Sequence, residues 1–153
     1  MKIVILGAGA VGSTLASLLS QENDLVVVDH NSSELHRLEE EADIKTLLGE
    51  VSYPNVLVNA GIHEADMVVA VTGSDETNIV ACMIAKVLNK SVKTIARVRE
   101  ISYLKGKTKE AMDSGEIPVD IHISPEQLIT EHIQGLIEIP GSLQVMEVGQ
   151  GKL

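Results

Sequence analysis

The first thirty residues constrain this chain most. An apolar run from Lys2 to Leu6 leads into Gly7-Ala8-Gly9-Ala10-Val11-Gly12, an apolar helical stretch follows, and a second apolar run, Leu25 to Val28, ends in Asp29. The order reads as strand, glycine turn, helix, strand. Gly7 lets the backbone turn sharply out of the strand. Gly9 lacks the Cβ that would hold a pyrophosphate off the main chain, and Gly12 lets the helix pack close to the strand. Free N–H groups at the helix start, with the helix dipole, stabilise phosphate charge. Asp29 lies 22 positions beyond Gly7. A carboxylate there accepts hydrogen bonds from an adenosine ribose and repels a 2′-phosphate, which favours NAD(H) over NADP(H). On this reading Asp29→Ala weakens NAD(H) binding and leaves the fold intact.

The rest of the chain alternates strands and helices. Helix is expected over about 10–21, and strand over 25–29. Asn31 and Glu34 suit a capping box for a helix over 32–41. Strand is expected at 44–48, and a short helix from Pro54 to near Gly61. A strand at 67–71 precedes a long helix, Asp75 to Leu88, with Ile79, Val80, Met83, Ile84 and Val87 on its apolar side. Strand follows at 92–98. Residues 101–120 lack a clean period and read as a short helix with surface loops, before a strand at 119–123. Ser124-Pro125-Glu126-Gln127 is a well-formed helix start, and Ile129, Ile133, Leu136 and Ile137 form a stripe on that helix. Leu143 to Val148 reads as one more strand. The alternation predicts an α/β fold: a Rossmann-type, doubly wound parallel sheet with right-handed crossovers and its ligand at the carboxyl ends of the strands. Residues 1–123 form the expected nucleotide domain. Residues 124–153 add a crossover helix and terminal strand leading to a part that lies beyond this sequence.

Composition narrows the function. A length of 153 residues suits one domain with a sizeable core, and with no Phe or Trp and two Tyr that core must be aliphatic. A formal net charge of −10 argues against nucleic acid, whose phosphates need basic partners. No apolar run reaches the ~20 residues of a membrane span. The single cysteine, Cys82, cannot form an internal disulfide, which fits a cytosolic chain.

A second motif follows the fourth strand. The segment ADMVVAVTGSDETNIVAC puts Thr72 and Gly73 at the strand end and Ser74, Asp75, Glu76 and Asn78 at the helix start. Together with GAGAVG, VVVD, IARVR, ISPEQL and IPGSLQV, it resembles the nucleotide-binding unit of the RCK (regulator of potassium conductance) domains, of the Trk-type potassium-uptake kind. The resemblance covers nearly the whole chain. It implies a regulator and not a catalyst: a cytoplasmic subunit, peripheral on the inner face of the cell membrane, that binds NAD(H) or adenine nucleotides. Its implied partners are an integral membrane potassium-translocating subunit and further copies of itself, a homodimer or larger. By position, Gly7, Ala8, Gly9, Ala10 and Val11 would cradle the phosphates, and Asp29 would hold the adenosine ribose with His30 alongside. Thr72 and Gly73 would contact the nucleotide across the switch point. Arg97 would be a charged contact near the phosphates or the nicotinamide. Two departures stand out. Gly49-Glu50 replaces the Gly-Asp of many relatives, at the adenine edge. Ala10 stands where relatives tuned to ATP often carry Arg, so NAD(H) is favoured over ATP or ADP.

Other constellations are weaker. Tyr103 and Lys107, with Ser91 twelve residues before Tyr103, match the acid/base residues of short-chain dehydrogenases in type, but Ser91 precedes the fifth strand instead of following it. The five histidines show no metal-ligand spacing, so no metal site is expected. Cys82 reads as a small core residue. The alternative class is the cofactor-binding half of a small NAD-dependent dehydrogenase. It would need a substrate domain and a general acid within about 50 residues after the fifth strand.

Overall fold

The computed structural model describes residues 1–124 together with Ile133 and Leu136, and the fold is that of the compact unit Met1–Ile123. Six strands, β1 (Lys2–Leu6), β2 (Asp24–Asp29), β3 (Lys45–Leu48), β4 (Met67–Ala70), β5 (Lys93–Arg97) and β6 (Ile121–Ile123), form one sheet in the order β3-β2-β1-β4-β5-β6. Every neighbouring pair is parallel. Five helices connect them: α1 (Ala10–Leu19), α2 (Ser32–Glu41), α3 (Pro54–Asn59), α4 (Asp75–Leu88) and α5 (Gly106–Ser114). From β1 the chain runs outward through β2 to β3, then returns to the other side of β1 as β4. The direction of winding therefore reverses between β1 and β4, where a doubly wound sheet opens a crevice at its carboxyl edge.

The strands are apolar on both sides because helices cover both faces. Ile3 and Ile5 of β1 pack with Leu25, Val27, Leu35 and Leu38, whereas Val4 and Leu6 pack with Leu57, Val68, Ala81 and Cys82 on the opposite face. This alternation follows from the two-residue period of the strand. Both layers are aliphatic, as the composition requires.

Several boundaries differ from the sequence reading, each for a local reason. Helix α1 stops at Leu19. Beyond it Glu22 N bonds the Leu19 carbonyl in a tighter turn, and the Asn23 side chain donates to the same carbonyl at 3.0 Å. The expected capping box on α2 is half formed. Asn31 Oδ1 accepts from the Ser33 and Glu34 N–H groups, but the Glu34 carboxylate turns away to pair with Arg37. Pro54 opens α3 as expected, and Gly61 supplies the left-handed residue (φ +89°) that leads out of it. Val119 is buried but lies outside the sheet. The Asp120 carboxylate takes the Thr94 N–H at 2.9 Å, so β5 pairs with β6 only from Ile95↔Ile121 onward.

The face of α4 needs the largest correction. Its buried residues are Asp75, Asn78, Ile79, Ala81, Cys82 and Ala85, while Val80, Met83 and Val87 are exposed. The helix meets the sheet through small side chains, which permit close approach. Residues 101–120 hold a 3-10 turn, Ile101–Leu104, and then α5, in keeping with a short helix among loops. The helix start from Pro125 onward, Ile129 and Ile137 of its stripe and the strand at 143–148 lie outside the described residues.

Candidate functional site

The glycine turn is shaped by contacts that exclude side chains. Gly7 has φ +112°, and a Cβ on it would lie 3.1 Å from the Thr72 nitrogen and from the Val71 carbonyl. The turn out of β1 is thus pressed against the end of β4. A Cβ on Gly12 would lie 1.8 Å from the Gly7 carbonyl oxygen, so α1 can approach β1 only with glycine there. Gly9 differs. Its φ is an ordinary −71°, and a Cβ on it would meet nothing within 4 Å. Space lies open over this main chain, where a ligand can approach. Gly9 is also the N-cap of α1 and gives it no side-chain cap, whereas Asn31 and Ser74 cap α2 and α4. The first-turn N–H groups of α1 have no side-chain acceptor of that kind, as an anion-binding helix start requires.

Asp29 ties the end of β2 to this turn. One carboxylate oxygen accepts the Ala8 N–H at 2.7 Å and the other accepts the Asn31 N–H at 2.8 Å. The side chain is 13% exposed, and His30, 72% exposed, sets Nδ1 3.8 Å from it.

A cleft of about 380 Å³ runs along the carboxyl edge at the switch point. Gly7, Gly9, Ala10 and Val11 form one wall, Asp29 and His30 a second, and Thr72, Gly73 and Arg97 a third. Nine of the ten residues expected from the sequence therefore meet at one cleft. Ala8 is the exception: it is fully buried and its N–H is committed to Asp29. Asn31, Glu34, Val51 and Val71 also line the cleft and were missed. Asn31 and Glu34 carried a signal, since they follow Asp29 directly, but it read as helix capping alone. A larger, open depression of about 630 Å³ runs along Glu39–Thr46. Three glutamates and Asp43 line it against the single cation Lys45, a net negative charge that repels phosphate.

The start of α4 holds a second group of polar residues that the sequence reading left without roles. The buried Asp75 carboxylate accepts the Arg99 N–H at 3.0 Å and the Glu100 N–H at 2.7 Å. Asn78, fully buried, bonds Thr72 and the Arg97 carbonyl. The Arg99 guanidinium reaches the Gly73 carbonyl. These side chains fasten the loop after β4 to the loop after β5, so Thr72, Gly73 and Arg97 are held as one wall.

Ser91 lies before β5 and Tyr103 after it, so a full strand separates them along the sheet. Burial pushes the Cys82 thiol up to about 12, which keeps it protonated and unreactive. Among the described residues, no group of three His, Cys, Asp or Glu is placed to hold a metal ion, and no helix is long and apolar enough to cross a membrane.

The all-parallel sheet, the glycine turn at its switch point and the acid closing β2 define a Rossmann-type α/β domain. The TrkA-N domain family matches residues 3–125, and the chain belongs to it. It is 49% identical over 152 residues to the Trk system potassium uptake protein TrkA of Halomonas elongata, covering 99% of this chain and 33% of that protein. It is 46% identical over 155 residues to the protein of the same name from Vibrio alginolyticus, covering 100% and 33%. The chain thus spans about a third of the length of these relatives. The TrkA-N domain of the inner membrane protein ybaL from Escherichia coli shares the fold, with TM-score 0.73 and 20% identity over 88% of this chain and 95% of that one. So does the GsuK channel bound to NAD, with TM-score 0.69 and 23% identity over 88% and 23%. A third is the AMP-bound Shewanella denitrificans Kef CTD, with TM-score 0.72 and 19% identity over 98% and 89%.

Proposed function

We propose that this chain is the nucleotide-sensing part of a regulatory subunit for potassium uptake, and that its cleft binds NAD(H). The observation that carries the ligand assignment is Asp29. Each of its oxygens accepts one backbone N–H and keeps a further acceptor direction, which suits a pair of ribose hydroxyls and disfavours a 2′-phosphate. Gly9, open above its main chain, and the start of α1 suit a pyrophosphate. The glycine turn carries Ala10 and no cation, which favours a dinucleotide over ATP or ADP. The function rests on the whole-chain identity to Trk potassium uptake proteins.

In this reading residues 1–123 are the nucleotide domain of the subunit. The subunit assembles with copies of itself, sits on the cytoplasmic side of the membrane and contacts an integral potassium-translocating protein. It performs no catalysis: the dehydrogenase-like residues Ser91 and Tyr103 stand at opposite ends of β5. Gating follows if two arrangements of the assembly differ in nucleotide affinity, because equal affinity shifts no equilibrium. The test is calorimetric titration with NADH, NAD⁺ and ATP side by side, with NADH absorbance followed in the presence of carbonyl substrates. Dinucleotide binding without turnover supports the proposal. Tighter binding of ATP overturns the NAD(H) assignment, and turnover overturns the regulatory one.

A further inference from the structure

The hydrogen bonds around Asn78 fix the polarity of one wall of the cleft. The orientation of its carboxamide is unambiguous. Oδ1 lies 3.0 Å from the Thr72 backbone nitrogen, which can only donate. Nδ2 lies 3.2 Å from the Thr72 carbonyl and 2.9 Å from the Arg97 carbonyl, which can only accept. Both hydrogens of Nδ2 are therefore used, and Oδ1 must act as an acceptor towards its remaining neighbour. That neighbour is the Thr72 hydroxyl, at 2.6 Å. A hydroxyl has one hydrogen to donate. The other acceptor within its reach is the Ser74 carbonyl at 3.2 Å, so the hydrogen stays inside the protein in either case. One lone pair of the hydroxyl already accepts the Ser74 N–H at 3.2 Å. Towards a ligand, Thr72 Oγ1 has only its second lone pair.

We propose that Asn78 is a positioning residue and Thr72 a specificity-determining one. The Thr72 hydroxyl meets a bound nucleotide only as an acceptor, so this point of the wall takes a donor group, a ribose hydroxyl or a carboxamide N–H, and disfavours a phosphate oxygen. The proposal rests on the reading that the cleft binds a nucleotide, and it deepens that reading. Phosphate belongs at the α1 start, and the part of the ligand that reaches β4 must carry hydrogen-bond donors.

Wild type, Thr72→Val and Thr72→Ser are titrated with NADH, ADP-ribose and ATP. Thr72→Val is expected to weaken NADH binding roughly three- to tenfold, the worth of one hydrogen bond, while Thr72→Ser stays within about twofold of wild type. ATP affinity is expected to be unchanged or raised in Thr72→Val. A merely structural role would weaken both ligands alike, and that result, or an unchanged NADH affinity, overturns the proposal. If ADP-ribose loses affinity with NADH, the donor is a ribose hydroxyl; if it does not, the donor is the carboxamide. If wild type binds ATP and not NADH, the dinucleotide assignment fails, yet a loss of ATP affinity in Thr72→Val still refutes the polarity and no loss supports it. If no nucleotide binds, NMR of the free protein decides. A slowly exchanging Thr72 hydroxyl proton with a cross-peak to the Asn78 amide or to Ser74 supports the fixed polarity, and a freely exchanging hydroxyl proton overturns it.

Discussion

Asp29→Ala tests whether the acid at the end of β2 serves the ligand alone or also the fold. The structure gives it a task in the fold, because its two oxygens accept the Ala8 and Asn31 N–H groups at 2.7 and 2.8 Å. Ala8 is fully buried, so its N–H loses its partner where water has poor access. A buried donor left unsatisfied costs about 1–3 kcal/mol, and a hydrogen bond to a charged acceptor contributes about 1.5–3 kcal/mol. The Asn31 N–H is exposed and rehydrates at small cost. The substitution is expected to destabilise the domain by about 2–4 kcal/mol, a large share of the ~5–15 kcal/mol typical of a domain. With a urea slope of about 2 kcal/mol/M the unfolding midpoint falls by ~1–2 M. Asp29→Asn retains one acceptor oxygen and is expected to lose about half as much. Equilibrium urea unfolding followed by circular dichroism provides the measurement. A midpoint for Asp29→Ala within ~0.3 M of wild type, at unchanged slope, refutes the reasoning and returns Asp29 to the purely ligand-facing role expected from sequence.

Four further outcomes follow from the same geometry. Gly9→Ala is expected to leave the thermal midpoint within about 2 °C of wild type and to weaken NADH binding by at least ~10-fold, since its methyl occupies only the space over the turn. Gly12→Ala is expected to lose about 3 kcal/mol or more, because its methyl would lie 1.8 Å from the Gly7 carbonyl and α1 must move away. Burial raises the Asp120 carboxyl, but the bonds from Thr94 and Lys86 outweigh it and hold the group below its ordinary 3.8. Its contribution is therefore present above pH 3.8 and lost as pH falls through the lowered value, so Asp120→Asn should flatten the acid limb of stability measured by urea unfolding from pH 5 to 2.5. Cys82, with its thiol pushed up to about 12, should resist a disulfide reagent at pH 8 in the native protein and react fully in denaturant.

The sequence carried the fold where periodicity and glycine chemistry agree. All six strands of the sheet and the helices between them were legible, because a two-sided parallel sheet writes itself as apolar runs bounded by turn residues. The cleft was legible for the same reason: a strand end, a glycine turn and an acid at a fixed spacing meet only one way in this topology. The face of α4 was not. Large apolar residues at helical spacing pointed to Val80, Met83 and Val87, yet the sheet is met by Ala81, Cys82 and Ala85. Residue size misleads when close approach decides packing. The second task of Asp29 was hidden as well, since a bond from Ala8 across 21 positions leaves no local pattern. Asn78 was invisible in its role for a like reason: it is polar, fully buried, and its partners lie at the ends of two different strands.

The most direct test of the central claim is a map of backbone amide shifts in ¹⁵N-labelled protein during titration with NADH. The account expects the changes to cluster at Gly7, Gly9, Ala10 and Val11, at Asp29 and His30, and at Thr72, Gly73 and Arg97, with Ala8 responding through its bond to Asp29. Changes centred on the acidic depression along Glu39–Thr46, or no change at saturating NADH, would contradict it.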